Sequence, residues 1–176
     1  MQPRSALLET PRIQLITLLP EELRALIVED AARATELTGV SFPAGWFADP
    51  SRREGLPWHL RHLEAHDTHC AWRVRVVVER AAQLAIGAIT LKGPPNADGD
   101  VEIGWGIDLG FRLQGYAVEA ANAVALWAST HPEFRSLSAT IADDNVASQR
   151  VAMRLGMVKT SERRREEPLW LLRHDR

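Results

Sequence analysis

Residues 101–117 read VEIGWGIDLGFRLQGYA, and EAANAVALWA follows from 119 to 128. Alternation over 101–108 predicts a strand with Val101, Ile103, Trp105 and Ile107 on one face and Glu102, Gly104 and Gly106 on the other. That second face carries almost nothing beyond Glu102. Glycine in a strand marks a bulge that curves the sheet, or a place where a ligand or another backbone comes close; both explanations fit these residues. Arg112 to Ala117 then joins the strand end to a helix predicted over 115–130. At a helix start the first backbone N–H groups lack a helical partner, and the dipole favours an anion. Gly115 lets a phosphate approach the backbone and Ala117 leaves the first turn uncrowded, which is the physics of a phosphate or pyrophosphate cradle. The sequence has no GxxxxGK[ST] and no GxGxxG, and R-x-x-G-x-A by itself is weak evidence. The helix is apolar nearly all round, so burial on more than one side is expected.

Outward from this stretch, periodicity predicts a strand over 11–19, then a helix opened by Pro20-Glu21-Glu22 and ending near Gly39. Residues 40–57, with Pro43, Gly45, Pro50, Gly55 and Pro57, look like a loop, and a short helix covers 57–66. WRVRVVVE (72–79) puts Trp72, Val74, Val76 and Val78 on one face of a strand. LAIGAITL (84–91) follows it, and with 101–108 these make an antiparallel meander. SLSATIA (136–142) is a strand, VASQRVAMRLG a helix ending at Gly156, and 157–160 and 169–172 are two last strands. This order describes an α+β chain with a mixed central sheet, one domain over residues 1–176.

Composition narrows the partners. A net charge of −2 gives no general basic footprint, so no nucleic-acid partner is expected. The run Arg163-Arg164-Arg165, flanked by Glu162, Glu166 and Glu167, reads as a solvated turn. Cys70 is the single cysteine, which excludes an intrachain disulfide and suits a reducing, cytoplasmic setting; it reads as a small buried residue. The first twelve residues have no signal-peptide h-region, and no apolar run reaches the roughly 18 residues of a membrane span.

VEIGWGIDLGFRLQGYAVEAANAVALWA followed by NVASQRVAMRLGM resembles the GNAT superfamily of acetyl-CoA-dependent N-acyltransferases, and within it the RimJ/RimL-like branch of ribosomal-protein N-terminal acetyltransferases. The match is strong over 84–160, and the paired motifs in this order are far more specific than either alone. The resemblance implies a GNAT-like, mostly antiparallel sheet flanked by helices, with acetyl-CoA in a V-shaped cleft between the fourth and fifth strands, 101–108 and 136–142. Backbone at Ile107, Asp108 and Leu109 would bond the pantetheine. The amides of Arg112, Leu113, Gln114, Gly115, Tyr116 and Ala117 would hold the pyrophosphate, and Asn145 would reach the pantetheine arm from the other side. An amine acceptor, a protein N-terminus or a small molecule, would attack the thioester directly in a ternary complex. The protein then supplies position, a route for the amine's proton and oxyanion stabilisation.

Glu102 is the candidate base, standing where the family often carries a carboxylate; work near pH 7 calls for burial. The alternative is a glutamate that only pairs structurally at a strand start. The family's frequent general-acid tyrosine, seven residues past the asparagine, is replaced by Ala152. The chain's one tyrosine, Tyr116, lies in the turn. Ser148 is the substitute hydroxyl for the leaving sulfur, or a cofactor contact without proton transfer. On the acceptor side, Trp46, Phe47 and Trp58 either line an aromatic cleft or roof the core. His59, His62, His66 and His69 share a helix face, expected to be solvated, with no metal site. A non-catalytic acyl-CoA-binding module on the same fold is the alternative to the enzyme, and a homodimer is left open.

Overall fold

A computed structural model describes residues 7–65 and 71–174, and these form an eight-stranded sheet with helices on both faces. Its strands are β1 (Leu8–Glu9), β2 (Ile13–Thr17), β3 (Val74–Glu79), β4 (Leu84–Leu91), β5 (Asp100–Ile107), β6 (Ser136–Thr140), β7 (Val158–Arg164) and β8 (Glu167–Arg173). They lie in the order β1-β2-β3-β4-β5-β6-β8-β7. Neighbours are antiparallel except β5 and β6, which run parallel because α5 (Tyr116–Ser129) carries the chain back between them. The expected mixed, mostly antiparallel α+β sheet is therefore the fold that forms.

Each face has its own core. Ala120, Ala121, Val124 and Ala128 of α5, with Ala152 of α6 (Val146–Arg154), pack on Ile13, Leu15, Ile89, Val101 and Ile103. This explains the apolar, alanine-rich α5: it is wedged between the sheet and α6, where small side chains let backbones approach. The opposite face carries α1 (Pro20–Ile27), α2 (Ala31–Thr38), α3 (Ala44–Phe47) and α4 (Pro50–Ala65), whose Leu23, Leu26, Trp46 and Leu63 meet Val74, Val76 and Val78. Trp72 departs from the predicted strand face. It precedes β3 and turns to the α5 side, with its ring 4.5 Å from that of Trp127.

Three segments differ from the periodic prediction. The single helix over 20–39 is two, because Glu29 takes φ 58° and Asp30 starts anew, its carboxylate accepting the Arg33 N–H at 2.9 Å. Apolar spacing runs on through the break and hides it. The loop over 40–57 is mostly helix: Pro50 occupies the first turn of α4 and Asp49 accepts the Ser51 N–H, while Pro57 is tolerated inside. The last two strands extend to the Arg165-Glu166 turn, since residues 158–164 and 167–173 pair as one hairpin. The two-residue β1, pairing with β2, escaped notice as too short for a period.

Candidate functional site

Parallel pairing between β5 and β6 covers Asp100, Val101 and Glu102 against Ser136, Leu137 and Ser138, and stops there. Beyond it the strands part. A cleft of about 220 Å³ opens between Ile103, Gly104 and Trp105 on one wall and Ala139–Ala142, Asn145 and Ser148 on the other, with Glu167 at its lip. The Lys92 N–H donates to the Glu102 carbonyl and the Asp108 N–H to the Ile86 carbonyl, so even-numbered residues of β5 aim their backbone at β4. By alternation the polar groups of Ile103, Trp105 and Ile107 point across the gap. An extended ligand with amide groups, such as a pantetheine arm, fits that edge.

These hydrogen bonds bear on the backbone contacts expected at Asp108 and Leu109. Asp108 is spent: its N–H goes to Ile86, its carbonyl accepts from Phe111, and its carboxylate pairs with Arg52 of α4. Leu109 opens a short 3-10 turn and its carbonyl accepts from Arg112, while the Ile107 carbonyl accepts from Arg112 Nε at 2.8 Å. Ile107 keeps its N–H toward the gap. Ile103 and Trp105 were not among the expected contacts, although strand alternation alone points to them.

Arg112 braces the turn, and Leu113 (φ 62°) and Gly115 (φ 85°) both take left-handed backbone. Gly115 is the N-cap of α5 and has no side chain to cap it. Among the described residues no acceptor meets an N–H of residues 113–118, and the first helical bond runs from Glu119 N–H to the Gly115 carbonyl. These donors at a helix start fit a pyrophosphate. A Cβ on Gly115 would lie 3.6 Å from Arg12 Nη2. Arg12 was not anticipated. It bonds the Gln114 carbonyl at 3.0 Å, pairs with Glu119 at 2.5 Å and sits 4.4 Å over the buried Tyr116 ring. Burial alone would raise the Glu119 carboxyl, but the Thr10 hydroxyl and Arg12 together hold it below the usual range.

Across the cleft, Asn145 is the N-cap of α6, and its Oδ1 accepts the Ser148 N–H at 3.1 Å. This leaves its amide NH2 and the Ser148 hydroxyl for a ligand. Ala152 is fully buried in the α5–α6 contact, so a tyrosine ring has no room there.

Glu102 lies on the face that carries α1–α4, and its side chain is 13% exposed. It is not merely buried. Arg164 Nη1 donates to Oε2 at 3.0 Å and Arg165 Nη2 to Oε1. The run 163–165 stays largely solvent-exposed, as expected, but β7 and its hairpin turn bring two of the three arginines back over β5 and β6. Arg164 also reaches Asp100 at 3.6 Å, and Arg165 touches Thr140 of the cleft wall. Gly104 is bare because Thr90 Oγ1 would stand 2.8 Å from any Cβ, and Gly106 faces Asp49. The bulge in this part of the sheet lies between β3 and β4, at Val77/Val78, and not in β5.

The aromatic residues separate. Trp46 is fully buried with Phe42 in the core beneath Arg52, so a ligand does not reach it, and Phe47 packs beside it. Both belong to the α1–α4 core and border a small pocket with Leu26, Ile27 and Arg52, away from the β5–β6 cleft. Trp58, like Phe47, is half-buried, its ring 5.2 Å from Lys92 Nζ and 5.4 Å from the Arg73 guanidinium. His59 is buried, not solvated, because Trp58 packs edge-on against it; burial, with Lys92, Arg73 and His62 nearby, pushes it down to about 3. His62 stacks on Trp58 at 3.8 Å. His66, His69 and Cys70 lie outside the described residues. No described group of three His, Cys, Asp or Glu is placed to hold a metal, and no described helix is long and apolar enough to cross a membrane.

Over 152 residues the chain is 27% identical to the uncharacterized N-acetyltransferase YjdG of Bacillus subtilis (strain 168), covering 86% of this chain and 89% of that protein. Its fold matches the ribosomal-protein-S5-alanine acetyltransferase of Vibrio fischeri with a TM-score of 0.63 at 17% identity, over 95% of this chain and 94% of that one. It also matches the microcin C7 self-immunity acetyltransferase MccE, solved with acetyl-CoA and AMP, with a TM-score of 0.59 at 13% identity, over 94% of each. At such identities the two structural likenesses speak to fold alone. The family model described as an acetyltransferase (GNAT) domain matches residues 12–158. With the parted β5–β6 pair and the uncapped start of α5 inside that span, the chain belongs to the GNAT acetyltransferase family.

Proposed function

We propose that this chain moves the acetyl group of acetyl-CoA to a primary amine, a protein N-terminus or a small-molecule amine, in a single domain. The observation that carries this is the pairing of two unsatisfied surfaces: the gap-facing edge of β5 and the unpartnered N–H groups of residues 113–118. They suit the two ends of one ligand, an amide-bearing arm and a pyrophosphate. Acetyl-CoA supplies the thioester carbon that the amine attacks. Ile103, Trp105 and Ile107 hold the arm, Arg112 to Ala117 hold the phosphates, and Asn145 fixes the arm from the α6 side. Glu102 takes the proton the amine sheds, directly or through a water. The Ser148 hydroxyl faces the leaving sulfur. The RimJ/RimL-like branch favours a peptide N-terminus as acceptor, and the single cysteine a cytoplasmic setting.

A second reading, an acyl-CoA-binding module without turnover, draws on one observation: both Glu102 oxygens are held by arginines. Thioester consumption with a panel of amines, repeated on Glu102→Gln, separates the two. Turnover that the substitution suppresses supports the enzyme; CoA binding with no transfer to any amine leaves the module.

A further inference from the structure

Arg73 is 4% exposed, yet no carboxylate among the described residues pairs with it. Its Nη1 donates to the Lys92 carbonyl at 2.6 Å, and its buried Nε finds no acceptor. A buried guanidinium without a counter-ion is rare, because the charge loses its water with nothing in return. Lys92 has no ion pair among the described residues either, and its ammonium stands 5.2 Å from the Trp58 ring, against which the Arg73 guanidinium also packs.

These cations border the face proposed to receive the acceptor. Lys92 lies opposite Glu102 across β4 and β5, joined by its N–H bond to the Glu102 carbonyl. Thr90 and Gly104 share that face, since Thr90 Oγ1 blocks the Gly104 Cβ direction. Alternation therefore puts the Lys92 side chain on the Glu102 side, under Trp58 of α4. The opposite flank carries Arg164 and Arg165, already engaged with Asp100 and Glu102. Glu102 thus has its arginine partners on the β7 side, and on the α4 side stand two cations with no carboxylate partner among the described residues.

We propose that Arg73 and Lys92 form an anion subsite, so that the preferred acceptor amine carries a carboxylate several bonds from its nitrogen. This rests on the acetyl-transfer reading and names its substrate class. The spacing follows from the strands: Lys92 lies beside Glu102 on the neighbouring strand, about 5 Å away at the backbone, and its ammonium is drawn off toward Trp58 of α4, away from an amine at Glu102. The carboxylate of an α-amino acid lies too close to its own nitrogen to span that distance, whereas that of an ω-amino acid or of an acidic second residue of a peptide does.

Two matched pairs test it: 4-aminobutyrate against butylamine, and Ala-Glu-Ala-amide against Ala-Gln-Ala-amide, each assayed for acetyl transfer and, with CoA present, for binding by tryptophan fluorescence. The carboxylate member of at least one pair should be favoured by about tenfold or more in kcat/KM, the worth of one charge-assisted contact pair. The pair that responds tells a small amino acid from a peptide. Lys92→Gln, at an exposed position, should remove most of that preference while barely changing the neutral member; Arg73→Lys should weaken it; Arg24→Gln, a remote loss of the same charge, should leave it intact. Equal use of both members in both pairs, or a preference that survives Lys92→Gln and Arg73→Lys, overturns the subsite and leaves acetyl transfer standing. Preferential binding of the carboxylate members with no transfer keeps the subsite and defeats the transfer reading instead.

Discussion

Gly115→Asp, measured beside Gly115→Ala, tests the cofactor turn in two separable parts. Gly115 has φ 85° and ψ 0°, so any Cβ there costs about 1 kcal/mol of left-handed strain. Space is not the obstacle, since the nearest heavy atom to that Cβ is Arg12 Nη2 at 3.6 Å. Both variants should therefore melt about 2–4 °C lower and remain folded. The carboxylate adds a charge beside the bound pyrophosphate. At about 5 Å the repulsion is roughly 3 kcal/mol for an effective dielectric near 20, and below about 1 kcal/mol in bulk water. Arg12 does not cancel it, being held already by Glu119 and the Gln114 carbonyl. The aspartate variant should bind CoA about 10- to 100-fold more weakly than the alanine variant by isothermal titration, and added salt should narrow the gap. If the two variants bind CoA within about twofold of each other at low salt, the phosphates do not lie on this turn.

Three further outcomes follow from the same contacts. Glu102→Gln should lower kcat by about 10²–10⁴-fold with little change in the CoA dissociation constant, if the carboxylate is the proton acceptor; unchanged kcat across the amine panel removes it from that role. Arg52→Met strips the buried partner from both Asp49 and Asp108, and should destabilise by about 3 kcal/mol or more in denaturant titration; an unshifted midpoint refutes the claim that this pair ties α4 to the end of β5. His59, pushed down to about 3 from an ordinary 6.5, stays neutral in the folded chain while the unfolded chain takes up a proton. Stability should therefore rise with pH from about 3 to 6.5, by up to roughly 1.4 kcal/mol per unit, and His59→Gln should flatten that slope; identical profiles would show that His59 titrates freely.

The β5–α5 turn proposed to hold the cofactor was legible in its backbone form because its determinants are local. Gly115 must be glycine for a backbone reason, and strand alternation over 101–108 and the alanine-rich α5 are read off neighbouring residues. What stayed hidden was set by distance along the chain. Arg12 meets Gln114 and Glu119 more than a hundred positions away, and no local pattern in β2 announces it. The helix break at Glu29 was hidden for a different reason: apolar spacing continues through it while one residue changes φ sign.

The hairpin at 164–167 shows most clearly why the acceptor side resists reading. Arg165 (φ 53°) and Glu166 (φ 67°) both hold left-handed backbone, a conformation that glycine and asparagine adopt readily and these residues do not. Each costs about 1 kcal/mol, so the turn needs support from elsewhere. Arg165 meets Glu102 and Thr140, on two other strands, and Arg163 bonds the Glu166 carbonyl. The tight turn therefore depends on the same contact that engages the candidate base. A substrate amine that competes for Glu102, or an anion that competes for Arg165, also loosens the hairpin, and any change at Glu102 is felt in the turn. Arg165→Gly should relieve the backbone while cutting the contact, so it separates the two: a hairpin that stays closed by hydrogen exchange would show that the arginine serves the carboxylate, and one that opens would show that the carboxylate holds the hairpin.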